Sequence, residues 1–95
     1  MRISEHEKQT IINAVKSVDP DARVWLFGSR ADDSKKGGDI DIGILSVIID
    51  VMGEIEIRQI ICDEIGEQKI DIYVSKDGEQ AFFKYAVKKG ILLYG

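Results

Sequence analysis

Residues 39–42 read Asp-Ile-Asp-Ile, and this alternation constrains the fold more than any other stretch of the chain. Along a β-strand successive side chains point to opposite faces, so the two carboxylates share one face and the two isoleucines the other. The run continues through Gly43, Ile44 and Leu45, which makes it a strand of a sheet with one apolar face and one functionalised face. A carboxylate inside a strand runs against β-propensity and against burial, and it persists where it meets solvent, a cation or a metal. The run Lys69-Ile70-Asp71-Ile72-Tyr73-Val74 repeats the pattern with one acid at its centre. A single such acid fits the solvated end of a strand. Three in two strands, behind a glycine-serine turn, point to a shared role.

The other segments supply layers for this sheet. Ser4 followed by Glu7 forms a capping box, and Ile11, Ile12, Val15 and Val18 recur at helical spacing, predicting a helix over about 5–18 that Asp19-Pro20-Asp21 ends. Arg23-Val24-Trp25-Leu26-Phe27 reads as a buried strand closed by Gly28, and the polar stretch 29–38 as a loop. Over 50–65 the spacing of Val51, Ile55, Cys62 and Ile65 is helical, Gly53 weakens its start, and Ile57, Ile60 and Ile61 fall on a second apolar sector. A helix over 77–89 carries Ala81, Phe82, Tyr85 and Ala86 and stops at Gly90, and 91–94 adds a short last strand. The expectation is one α+β domain over 1–95, an α/β layer sandwich with helices against a small mixed β-sheet.

Composition narrows the class. Of 95 residues 44% are hydrophobic and 32% charged, which is the balance of a globular chain with a small core. The longest apolar runs, such as 47–49, fall far short of a membrane span, and the first residues lack a signal peptide's apolar stretch, so a cytoplasmic location is expected. One cysteine, Cys62, excludes an internal disulfide framework and a thiol cluster for zinc. Thirteen basic against seventeen acidic residues give a formal charge of -4, the wrong sign for a nucleic-acid binder.

Asp39 and Asp41 project in parallel, roughly 6.5–7 Å apart along the backbone, and can converge on a hard divalent cation such as magnesium. Zinc would ask for histidine or cysteine, and the one histidine, His6, reads as a surface residue of the first helix. Gly28-Ser29 offers a sharp turn whose N–H groups and hydroxyl can face a phosphate, without the lysine of a Walker loop. Arg30 adds a planar cation. A phosphate cradle, a cation and an acid cluster are the parts that transfer at phosphorus requires.

Leu26-Phe27-Gly28-Ser29-Arg30-Ala31 followed by Asp39-Ile40-Asp41-Ile42 resembles the signature of the nucleotidyltransferase superfamily related to DNA polymerase beta, most closely its minimal nucleotidyltransferase (MNT) group. The resemblance extends to the strand of Asp71 and to the closing segment 89–94. It implies a polymerase beta palm-like core and two magnesium ions bound by Asp39 and Asp41, with Asp71 completing the metal site and helping to activate the acceptor hydroxyl. It also implies a nucleoside triphosphate held by Gly28 and Ser29, and a phosphate contact from Arg30. Asp33 stands where many relatives have glycine, and Gly38 where they have serine before the first acid. Asp32 and Asp33 add negative charge beside a triphosphate site unless they point outward or Lys35 and Lys36 offset them.

Because the chain ends soon after the third acid, the acceptor is expected from another protein. MNT proteins pair with small all-helical HEPN toxins, so the resemblance implies an antitoxin that moves AMP from ATP to a hydroxyl of its partner. The alternative is a catalytically weak or inactive binding module that neutralises a HEPN partner by occlusion. The second apolar sector at Ile57, Ile60 and Ile61 is either buried or a face that would drive homo- or hetero-oligomerisation.

Overall fold

A computed structural model describes residues 1–34 and 38–95. The expectation attached to Lys35 and Lys36 falls outside the described residues. The elements follow in the order α1 (Glu5–Val18), β1 (Arg23–Phe27), a single 3-10 turn (Gly28–Ala31), β2 (Ile40–Leu45), α2 (Val51–Ile65), β3 (Ile70–Ser75), α3 (Ala81–Lys89) and β4 (Ile91–Tyr94). The strands form one mixed sheet ordered β3-β2-β1-β4, with β1 antiparallel to both neighbours and β2 parallel to β3. The α+β layer architecture expected from the sequence is the one observed.

Local chemistry sets the element boundaries. The Glu7 N–H donates to Ser4 Oγ at 3.0 Å and the Ser4 N–H to Glu7 Oε1 at 2.8 Å, the reciprocal cap that opens α1. Helix α2 opens on Asp50, whose carboxylate accepts from the Gly53 N–H at 2.8 Å. Buried Asp19 and Ser46 join the far end of α1 to the far end of β2 through a 2.6 Å hydrogen bond from the serine hydroxyl.

Ile40, Ile42 and Ile44 of β2 are fully buried and meet Ile11, Val15, Ile57 and Ile61, so α1 and α2 form one layer under the sheet. The opposite face carries Trp25, Phe27, Asp41, Gly43 and Asp71, and α3 covers only part of it. A Cβ on Gly43 would touch Ala86 Cβ and Phe83 Cε2 at 3.5 Å, which locates the crossing of α3 over β2. Trp25 meets Phe83 edge to face at 5.3 Å between ring centroids.

Two helices differ from the sequence expectation. Helix α3 begins at Ala81, not near 77, because 75–80 form a turn. There the Gly78 N–H donates to Ser75 Oγ at 2.7 Å, the Glu79 N–H donates to Asp77 Oδ1 at 3.0 Å, and Gly78 takes φ +74°. In α2 the buried line is Gly53, Ile57 and Ile61, while Val51, Met52 and Ile55 are exposed. Gly53 decides this: a Cβ there would stand 3.2 Å from Ile49 Cγ2 and 3.3 Å from Val18 Cγ1, so the bare backbone lies against α1 and turns residues four and eight positions on into the core. The sector of Ile57, Ile60 and Ile61 is therefore packed against the core, and the surplus apolar surface lies with Val47, Ile48, Val51, Met52 and Ile55.

Candidate functional site

The site grows from one register. Asp41 is opposite Phe27 across the antiparallel pair and opposite Asp71 across the parallel pair, so the end of β1 and both acids lie side by side. Gly28 follows Phe27 with φ +72°, and a Cβ there would sit 2.3 Å from Asp41 Oδ2. Glycine is required twice over, for the left-handed backbone and for the carboxylate against it. Asp41 is part-buried, and burial, the Asp71 and Asp39 charges and a hydrogen bond with Asp71 all push its carboxyl above the usual range, with Lys69 opposing.

Asp39 lies on the same side, but its Oδ2 is 3.4 Å from Lys69 Nζ. The Asp39 hydrogen bond and charge, with help from Asp71, raise the Lys69 ammonium pKa. The ion pair is exposed and therefore weak. In the sequence Lys69 marks only the start of its strand, because its neighbour across the sheet is set by the parallel pairing of β2 with β3. Among the described residues no group of three histidine, cysteine or acidic side chains already stands at metal-holding spacing. Asp41 and Asp71 converge and Asp39 is held aside by a lysine. The donors are all hard oxygens with surplus negative charge, which fits magnesium and does not fit zinc.

The 3-10 turn presents Ser29 towards Gly38. A Cβ on Gly38 would stand 2.0 Å from Ser29 Oγ, and its φ is +93°. The glycine at 38, a departure from many relatives, makes room for the serine hydroxyl. Arg30 engages backbone carbonyls: its Nε donates to the Gly38 carbonyl at 3.1 Å and its Nη1 to the Arg2 carbonyl at 3.0 Å. Arg2 reciprocates, donating to the Ser29 carbonyl at 2.7 Å and the Asp32 carbonyl at 3.1 Å. These bonds brace the turn from the N-terminal segment. Asp32 and Asp33 are exposed; the Asp32 carboxylate accepts from the Ser34 N–H at 2.9 Å and from its hydroxyl at 2.7 Å, and Asp33 pairs with the N-terminal amine.

A cavity of about 310 Å³ opens beside the turn, lined by Gly28, Ser29, Ala31, Asp32, Tyr85 and Lys89. The last two come from α3 and carry no functional signal in the sequence. On the other side of the acids the rings of Phe27, Tyr73 and Phe82 follow one another at 5.5 and 5.3 Å between centroids, with Tyr73 and Phe82 part-open to solvent. Burial and the Asp71 and Asp41 charges push the Tyr73 phenol up.

The family described as "Polymerase beta, Nucleotidyltransferase" matches residues 9–95. No curated protein matches the chain. Among solved structures, one described as a toxin-antitoxin with AMP-PNP is similar at TM-score 0.75 and 22% identity, over 93% of this chain and 73% of that one. A mutant of the toxin-antitoxin MntA-HpeT is similar at TM-score 0.75 and 20% identity, with the same coverage. At such identities the likeness establishes the fold. The family match runs through the glycine-serine turn and all three acids, Asp39 just before β2, Asp41 in β2 and Asp71 in β3, and the chain belongs to the polymerase beta nucleotidyltransferase family.

Proposed function

We propose that this nucleotidyltransferase moves AMP from ATP to a hydroxyl of a partner protein, and that the partner is a small all-helical HEPN-type toxin. The observation that carries the chemistry is the registration of Asp41 with Asp71 beside the Gly28 turn. Asp39, Asp41 and Asp71 would hold magnesium, which would offset the triphosphate charge and acidify the incoming hydroxyl. The Gly28 and Ser29 backbone and the Ser29 hydroxyl hold the phosphates. Asp71 takes the proton of the attacking hydroxyl as its oxygen bonds to the α-phosphorus and the bond to the β-phosphate oxygen breaks, releasing pyrophosphate. Arg30 braces the turn through Gly38 and Arg2, beside the phosphate contact expected of it.

The protein acceptor is supported by the toxin-antitoxin neighbours and by the apolar strip of Val47, Ile48, Val51, Met52 and Ile55, each more than half exposed. Incubation with ATP, magnesium and the partner is expected to add one AMP to the partner, seen by mass spectrometry, and Asp41→Asn to add none. Protection against the partner by wild type and Asp41→Asn alike, with no mass added by either, would sink this reading in favour of occlusion.

A further inference from the structure

Two of the Arg30 donors go to the Gly38 and Arg2 carbonyls, which leaves the phosphate side of the site open to a further cation. The cavity beside the turn supplies one. Lys89 lines it together with Gly28 and Ser29, and among the described residues no carboxylate forms an ion pair with Lys89. Its position is fixed by the backbone: a Cβ on the next residue, Gly90, would stand 2.3 Å from the Ala86 carbonyl oxygen, 2.6 Å from the Leu26 carbonyl oxygen and 3.1 Å from Phe27 Cβ. The end of α3 is thus clamped to the last residues of β1, directly before Gly28. Tyr85, four residues earlier on the same helix face, lines the same cavity with its side chain 55% exposed. One helical turn separates the two by about 6 Å along the axis, a spacing that suits a phosphate chain at one end and a sugar and base at the other. Asp32 shares the cavity, and its carboxylate is engaged by the Ser34 N–H and hydroxyl.

We propose that Lys89 receives the triphosphate of the incoming nucleotide and that Tyr85 flanks its nucleoside, so that the C-terminal turn of α3 completes the nucleotide site. This rests on the nucleotidyl-transfer reading and names the nucleotide's contacts within it. Lys89 is a binding residue here, with no part in proton transfer. A flexible ammonium is suited to this role, because it can follow a phosphate group as a point charge without the fixed fork of arginine.

The test is calorimetry of the full chain with magnesium and either ATP or AMP. Lys89→Gln is expected to raise the ATP dissociation constant about tenfold and the AMP constant by less than threefold, the difference reflecting the phosphates lost from the ligand. Lys89→Arg should restore most of the affinity. Lys88→Gln is the charge-matched control, since Lys88 lines a different cavity with Arg23, Trp25 and Phe83, and it should bind ATP as wild type does. A second measurement needs no variant: ATP should protect Lys89, and leave Lys88 open, to amine acetylation read by peptide mass spectrometry. Wild-type-like ATP affinity in Lys89→Gln, an equal loss in Lys88→Gln, or equal acetylation of both lysines with and without ATP would each overturn the assignment alone. Failure of the wild-type protein to bind ATP at all would overturn the nucleotidyl-transfer reading and this assignment with it.

Discussion

Gly28 is where the demands on a single residue are most severe, since it must hold φ +72° and admit the Asp41 carboxylate within 2.3 Å of where a Cβ would be. Gly28→Ala is expected to cost about 1–3 kcal/mol in urea denaturation and to displace Asp41, abolishing magnesium-dependent nucleotide binding in calorimetry. Ser29→Ala leaves the backbone turn in place and removes one hydroxyl from the phosphate side. It should weaken ATP and GTP by similar factors, and a loss confined to one base would show that Ser29 reads the base instead. Asp41→Asn keeps volume and removes charge, so magnesium affinity in the presence of nucleotide should fall while the melting curve stays cooperative. The acids are legible in the sequence because a carboxylate between isoleucines in a strand is costly unless a cation or a ligand meets it. The partners of Arg30 are not, because they are backbone carbonyls of Arg2 and Gly38, brought near by the way the N-terminal segment crosses the turn.

Elements obey the same logic at longer range. Helix α1 is readable to the residue because its cap is a local pattern, and that cap has a pH signature. The Ser4 N–H holds the Glu7 carboxyl below its usual range, with burial working against it. A depressed folded value means the stabilisation is complete above the unfolded value of about 4.3 and is lost as pH falls through the folded one. Glu7→Gln, which keeps the hydrogen-bond geometry, should therefore be less stable than wild type at neutral pH by about 0.5 kcal/mol after solvent screening, with the gap closing in acid. Helix α2 is legible as a helix but not in its orientation, since Val51 and Ile55 look as apolar as Ile57 and Ile61, and only Gly53 against Val18 selects between them. Ile57→Ala should cost about 2–5 kcal/mol in denaturant unfolding, against a few tenths for Ile55→Ala, which is 52% exposed.

At the scale of the whole molecule, the site is a compromise between function and stability. Asp41, Asp71 and Asp39 repel one another across two strands that the core beneath requires to be adjacent, and Lys69 offsets this only in part. In the metal-free protein Asp71→Asn should raise the melting temperature, by the equivalent of about 1 kcal/mol or less given solvent screening, while nearly abolishing nucleotide transfer. A lower melting temperature would mean that the Asp41–Asp71 hydrogen bond outweighs the repulsion. The juxtaposition of Lys89 with Ser29, like that of Lys69 with Asp39, belongs to this scale: each joins residues whose neighbourhood is decided by strand order, a property of the whole sheet that no local spacing encodes.

Strand order also has a consequence in time. Strand β1 sits inside the sheet, with Trp25 opposite Leu92 and Leu26 opposite Ile91, yet β4 leaves the ribosome after all the other elements described above. At roughly 5–20 residues per second, β1 waits several seconds with the N–H and C=O groups of one edge unpaired. During that interval the nascent chain presents an open strand edge to other chains, a template for misassembly that closes only when β4 arrives. Strand β2 follows β1 along the chain, so the segments carrying Gly28 and Asp41 are synthesised before those carrying Tyr85 and Lys89. The cavity wall of Tyr85 and Lys89 is built as α3 follows, and the arrival of β4 both seals the sheet and anchors that wall.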